Sequence, residues 1–401
     1  MVALALRVGF AWNWQSHFSR QALSVIPFLF ESGNIAHSLA TGAGFSSPFR
    51  VATGPTAWMT PLYPLLLSAV MRIFGSYTFR SWMAAVSLNI SASTAACIPI
   101  FSAGRRIGGI RLAAAAAWLW AIFPNAILLS FESLWDTSLS ALLGATLLWA
   151  TLRVSESRGR TAWGAYGLLW GIALMTNAAL ISLLPFLLAW LAYRCGLGKP
   201  LVAGAIALLC CLPWTIRNYS VFHSFIPLRS VLGLQLWVGN NPAAKVIWLG
   251  EHHPINDTAE RNRYVAMGEV AYMREKTRDA LGYMTTHPRQ EAGLMWGRFV
   301  SIWAGGTPTP VRDFWNRPSA WFRYVLLFNL CTALGTLGGI FFLFRRGSPY
   351  TFPLAVFPVI YPWAFYLTLA LPRYRHPIDP VLMLLTAVTL LELTRRRTAL
   401  K

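Results

Sequence analysis

Apolar residues fill most of this chain in long blocks, separated by short polar stretches in which arginine, glycine and proline concentrate. Such blocks predict helices that cross a bilayer, which takes about 20 apolar residues and fewer where neighbouring helices shield a short one. The opening MVALALRVGFAWNW lacks the basic start and small-residue cleavage site of a secretory leader, and reads instead as the last part of a membrane helix whose beginning is cut short. Further spans are predicted over 81–101, 112–129, 139–152, 162–175, 178–193, 201–214, 321–344, 352–371 and 381–393, about ten in all. The expected fold class is an all-α polytopic membrane protein forming one membrane domain over 1–401.

Charge tests the order of the spans. Cytoplasmic connections carry an excess of lysine and arginine. With these spans, Arg105, Arg106 and Arg111, then Arg153, Arg158 and Arg160, then Arg194 and Lys199, then Arg345 and Arg346, then Arg395, Arg396 and Arg397 all fall on one side. The opposite face then carries two long segments, 13–80 and 215–319. Within the first, PLYPLLLSAVMRIFG (61–75) is apolar but short and proline-rich. Counting it as a span would place the Arg105 cluster outside, so it is predicted as an amphipathic or re-entrant helix against the membrane. In the second, Arg261, Arg263, Arg274, Glu275, Lys276, Arg278 and Asp279 form a mixed-charge pattern that predicts a solvated helix.

Composition supports the class: 56% of residues are hydrophobic and 12% charged, against roughly 25% charged in soluble domains. The net charge of +20 is largely the arginine clusters that fix topology and meet anionic lipid, and no aromatic-basic nucleic-acid module accompanies it. Cys97, Cys210, Cys211 and Cys331 fall in predicted spans and Cys195 at a span end, which argues against a disulfide framework.

Acids are scarce, so those on the outer face carry weight. Glu31 starts a predicted short helix, ESGNIAHSLA, with Asn34, Ile35 and Ser38 on its face. It either favours the positive end of that helix or does chemistry. In FESLWDTSL, Glu132 and Asp136 would share a face if that turn is helical, and Asp136 is also a natural N-cap. LPRYRHPIDP (371–380) gathers Arg373, Arg375 and His376 on the outer side, where topology does not call for them. Asp379 followed by Pro380 explains only a helix start. Arginine's planar fork suits a phosphate, here most simply a lipid phosphate. Arg217 could join them or act as an interfacial anchor. Trp58, Trp237, Trp315 and Tyr374 are candidates for stacking on a sugar or prenyl chain, or for anchoring at the interface. Glu251-His252-His253 lacks usual metal-ligand spacing, and adjacent histidines point different ways.

These residues carry a resemblance. GFSSPF and GPTAWMTPLYPLL, with Phe74-Gly75 after them and Glu31 ahead, resemble the first outer loop of the GT-C glycosyltransferases, especially bacterial members related to protein O-mannosyltransferases and aminoarabinose transferases. PWTIRNYSVFHSFIPLRSVLGLQLWVGNNP (213–242) is similar to the family's segment after a mid-chain helix, and RYRHPIDPVLMLL to its closing motif. The resemblance implies an enzyme of the bacterial inner membrane whose active site faces the periplasm and uses a sugar carried on a polyprenyl phosphate. It assigns the first-loop acid to Glu31, the second to Asp136 or Glu132, and the closing arginines to Arg373 and Arg375.

That chemistry suits the residue types. A carboxylate would take the proton of an acceptor hydroxyl, and arginines would receive the departing phosphate. A single displacement implies inversion. Partners would be the polyprenyl-phosphate sugar, a cell-envelope acceptor and membrane lipid. Some relatives use a divalent metal near these acids, and the sequence leaves that cofactor open. The competing classes are a transporter or lipid flippase, expected to show repeats or charges at the membrane midplane, and a non-catalytic scaffold. No clear repeat is present, and Glu392 lies at a cytoplasmic span end.

Overall fold

The computed structural model describes residues 1–246, 250–305 and 320–399; Trp315 lies outside them. Among the described residues every regular element is a helix, and the one isolated bridge, Ser46 to Pro55, closes a turn in the first long segment. The chain is an integral membrane protein. Six helical stretches are long and apolar enough to cross a bilayer: Phe79–Ile122, Thr137–Val154, Ala178–Cys195, Gly198–Phe222, Arg323–Arg345 and Arg373–Arg395. The other expected spans are helical but shorter: Val2–Gln15, Arg160–Thr176, and Thr351–Ile360 followed by Trp363–Leu367.

The longest stretch is two passes. Gly108 (φ −151°) and Gly109 (φ 80°, ψ −170°) leave helical geometry, and a Cβ on Gly104 would lie 2.8 Å from the Ala113 Cα. Nine residues of straight helix would separate the two positions by about 13 Å. The chain therefore reverses, and at Gly109 the backbone adopts a φ that side chains resist. Arg105, Arg106 and Arg111 lie around this hairpin tip.

The charge pattern becomes a physical grouping. Arg106 pairs with Glu156 of the second basic connection, and Cys195, at the third, lies 3.1 Å from the Ser155 carbonyl. Arg346 and Arg395 share Glu392. The first three clusters thus meet at one end of the bundle, and the last two meet each other.

Lipid offers no hydrophobic drive for helices to associate, so close approach and interhelical hydrogen bonds matter more. Gly167 and Gly171 let the Arg160–Thr176 helix rest directly on Ala203, Ile206 and Cys210 of Gly198–Phe222. Gly335, Gly338 and Gly339 do the same for the last helix, Asp379–Ala399, where Thr389 donates to the Gly335 carbonyl at 2.6 Å. Arg7, fully buried in the first helix, donates to Ser93 and to the carbonyls of Ala3, Trp120 and Ala121, which satisfies a charge that could not otherwise stay there.

Residues 61–75 form the helix Leu62–Phe74, which buries Tyr63, Pro64, Leu67, Ser68 and Met71 on one face, as expected of an amphipathic helix. The mixed-charge segment departs from expectation. Lys276 is buried, paired with Glu260 at 2.7 Å and set over Trp237, because its four-carbon stem threads the packed face of Glu269–Thr286.

Gly144 fixes the approach of Thr137–Val154 to the turn Pro372–Ile378: a Cβ there would overlap the Pro377 carbonyl oxygen. Gly144→Val is expected to lower stability by about 1–3 kcal/mol, read as a fall in the thermal unfolding midpoint in detergent. Gly164→Ala, whose added Cβ meets nothing within 4 Å, should leave that midpoint unchanged.

Candidate functional site

At the end of the bundle away from the first three arginine clusters, a cavity of about 130 Å³ opens, walled by Glu31, Trp58, Asp136, Arg229, His253 and Arg373 among others. Asp136 precedes the 18-residue helix Thr137–Val154 and so stands about 27 Å from its basic end. Chain segments far apart in sequence are tied together around it. Ser32 Oγ donates to the Leu134 carbonyl at 2.9 Å, which brings the first-loop helix Glu31–Ala40 to the segment carrying Asp136. Thr60 Oγ donates to the Thr176 carbonyl at 2.7 Å.

Glu31 occupies the first turn of its helix, buried. Burial raises its pKa above the ordinary 4.5, opposed by its own backbone N–H and by the charge of Arg373. Asp136 holds the N-cap position but caps no backbone N–H. Its Oδ2 accepts instead from Ser140 Oγ at 2.9 Å, and Ser140 accepts from Asn177 at 3.2 Å. Burial raises the Asp136 pKa too, opposed by the Ser140 hydroxyl, Arg229 and Arg373. The Arg373 guanidinium lies 3.9 Å over the Trp135 ring and 5.5 Å from that of Tyr374, two aromatic planes that hold it at the cavity wall. Arg229 is steadied by Gln235 at 3.2 Å. His253 places Nε2 3.4 Å from Glu31 Oε1; burial first, and Arg373 second, push its pKa down to about 3, so the ring is neutral.

Eight sequence-predicted residues therefore part into two groups of different fate. Glu31, Asp136 and Arg373 converge on the cavity, and Trp58 and Tyr374 line it with them. Arg375, His376 and Arg217 do not. Arg375 is buried against Asp379 Oδ1 at 2.6 Å, the carbonyls of Ile302 and Trp303, and Asn329. His376 lies 3.1 Å from Asp379 Oδ2 and stacks on Trp120. Expecting both arginines at a phosphate treats the turn as extended, with residues two apart on one side. Pro372–Ile378 is instead a 3₁₀ helix, which sets such residues about 120° apart. Arg217 clamps the first loop, donating to the carbonyls of Thr56 at 2.7 Å and Phe45 at 2.8 Å. Glu132 is exposed, and residues 131–136 are not helical, so it shares no face with Asp136.

Arg229 and His253 were not foreseen as cavity residues. Arg229 stands inside the 213–242 stretch without a local signal of its own. His253 is part of the Glu251-His252-His253 run, and His252 (φ 58°) turns the chain so that the two rings part: His252 lines a separate small recess with Lys245 and Glu251. Among the described residues no three His, Cys, Asp or Glu side chains gather to hold a metal. Glu31, Asp136 and His253 do not make a ligand set, and the positive charge acting on all three is that of Arg373.

Glu269 holds the surrounding wall. Its buried carboxylate accepts from Thr56 Oγ at 2.5 Å, Ala57 N at 2.7 Å, Ser230 Oγ at 2.7 Å and the Tyr264 hydroxyl at 2.6 Å. Thr56 and Ala57 precede Trp58, and Ser230 follows Arg229, so one carboxylate positions two cavity residues from opposite halves of the chain.

The sequence matches no protein-family model and no curated protein. Solved structures do match. An oligosaccharyltransferase from Archaeoglobus fulgidus, in complex with zinc and sulfate, superposes with a TM-score of 0.55 at 14% identity, covering 92% of this chain and 45% of its own. AglB from the same organism, in complex with an inhibitory peptide and a dolichol-phosphate, gives 0.54 at 15% identity, covering 92% and 46%. The chain has the fold of the GT-C membrane glycosyltransferases. ArnT from Cupriavidus metallidurans bound to undecaprenyl phosphate gives 0.40 at 14% identity over 96% of this chain and 77% of that one, a similarity on which nothing further is built. The chain spans about half the length of the oligosaccharyltransferase structures it matches.

Glu269→Ala leaves four donors facing a void and is expected to cost about 3 kcal/mol; Glu269→Gln, which keeps an acceptor oxygen, should cost less. Thermal unfolding in detergent distinguishes them.

Proposed function

We propose that this protein is an inverting membrane glycosyltransferase that moves a sugar from a polyprenyl phosphate to a hydroxyl of a cell-envelope acceptor, with its site on the periplasmic face. The observation that carries the reading is one cavity lined by two carboxyl groups and two guanidinium groups, Glu31, Asp136, Arg229 and Arg373, in a fold shared with enzymes of this class. AglB was solved with a dolichol-phosphate, a lipid phosphate of the chemistry proposed here.

The step uses each group once. The bond from the sugar's anomeric carbon to the phosphate oxygen breaks, its electron pair staying with the phosphate, as the acceptor oxygen bonds to that carbon from the opposite face. Glu31 takes the acceptor's proton. Its raised pKa makes it a stronger base than an exposed glutamate, and the charge of Arg373 opposes part of that rise. Arg373 and Arg229 meet the charge that gathers on the phosphate. Arg229 thereby takes the place expected of Arg375. Asp136, tied to Ser140, is a supporting acid that orients the acceptor or balances the two arginines. Trp58 and Tyr374 supply faces for the sugar or the first prenyl unit.

Purified protein in detergent should consume a polyprenyl-phosphate sugar from a panel of donors when given cell-envelope extract. Glu31→Gln should lose roughly 10²–10⁴-fold in kcat, whereas Arg229→Ala or Arg373→Ala should chiefly raise the KM for donor. A folded wild-type protein that consumes no donor overturns the reading. The pH profile gives a second check. Glu31 works as a base only when ionised, and its pKa is raised in the folded state, so activity should fall as pH drops through a midpoint above 4.5 and persist above it.

A further inference from the structure

His253 pairs with the proposed base, Nε2 to Glu31 Oε1 at 3.4 Å, and nothing in the reaction as written requires it. Three features fix its state. Its Nδ1 accepts a hydrogen bond from the Ile255 backbone N–H at 3.2 Å. A neutral ring that accepts at Nδ1 carries its proton on Nε2, and Nε2 is the atom 3.4 Å from Glu31 Oε1. The ring plane is set by edge-to-face contacts with Trp58 and Phe49, at centroid distances of 5.5 and 6.4 Å. The backbone is set by the turn in which Asn256 N and Asp257 N both bond to the His253 carbonyl.

We propose that His253 is the positioning residue of Glu31: its Nε2–H donates to the Glu31 carboxylate and holds the other oxygen toward the incoming hydroxyl, without itself taking a proton. This deepens the glycosyl-transfer reading and rests on it. The electrostatics agree. Arg373, from the 372–378 turn, is the charge that acts on both members of the pair among the described residues. Arg373 favours the ionised carboxylate, against the burial that raises the Glu31 pKa, and adds to the burial that keeps His253 a neutral imidazole. The familiar arrangement, in which a carboxylate orients a histidine base, is reversed: here the histidine orients the carboxylate.

The test separates the two ring nitrogens. A glutamine amide can reach the place of Nε2 and donate to Glu31; an asparagine amide reaches only the place of Nδ1. His253→Gln should keep kcat close to wild type. His253→Asn should lose about tenfold or more in kcat at unchanged donor KM and move the acid limb to higher pH, since a donor to the ionised form has gone. Equal losses in both variants, with unchanged melting, overturn the proposal. A readout free of activity accompanies this. In ¹⁵N-histidine-labelled protein in nanodiscs, the His253 signals, recognised by their absence in His253→Gln, should show a protonated Nε2 and bare Nδ1 that persist below pH 5. The opposite tautomer, or an imidazolium above that pH, also overturns it. If the tautomer is as stated but no donor is consumed, the glycosyl-transfer reading falls and takes the positioning role with it. If donor is consumed and the two variants behave alike, the positioning role alone falls.

Discussion

A carboxylate with no exposure to water inside a membrane bundle must be neutralised, and Asp379 is neutralised from its own turn by Arg375, with His376 Nδ1 3.1 Å from its other oxygen. Much of the site's geometry depends on that pairing. Arg375 also reaches the carbonyls of Ile302 and Trp303 at the end of the Pro288–Ala304 helix and Asn329 in Ala320–Arg345. The turn is therefore pinned to two helices, and Arg373, rotated away from Arg375, is left facing the cavity. Trp135 then receives its guanidinium. An arginine with that much freedom would otherwise turn to water or to lipid headgroups.

Arg373 acts electrostatically on all the titratable groups that count. It opposes the burial that raises the pKa of Glu31 and of Asp136, and it reinforces the burial that lowers that of His253. Two guanidinium groups and two carboxyl groups make a cavity with no formal excess of charge. Any anion entering it would meet arginines already half desolvated by protein, where their attraction is stronger than in water.

The parts of the structure legible in sequence are those set by local composition. Apolar blocks gave every expected helix, and arginine spacing gave the common end at which Arg106 meets Glu156. Glu31 and Asp136 stood out because acids are rare on the outer face. What escaped sequence reading depends on local geometry that residue type does not reveal. Arg373 and Arg375 look alike until the period of the turn is known. Arg217 looks like a phosphate ligand until the carbonyls of Phe45 and Thr56 close on it. His253 becomes meaningful only when His252, itself left-handed, turns the chain and parts the two rings. Glu269 sat unnoticed in a mixed-charge helix, because its four donors come from positions up to 213 residues away.

The same pinning of the last turn bears on how the protein is made. Glu31, Asp136, Arg229 and His253 all leave the ribosome before residue 373, and most of the bundle can enter the membrane while the cavity still lacks its central cation. Two carboxyl groups pushed toward their neutral forms by burial would, until then, face each other without Arg373. Only insertion of the final hairpin, locked by Arg375 to helices already in place, adds that charge. The cavity would thus be completed in one late event, with its carboxyl and guanidinium groups assembled together or not at all.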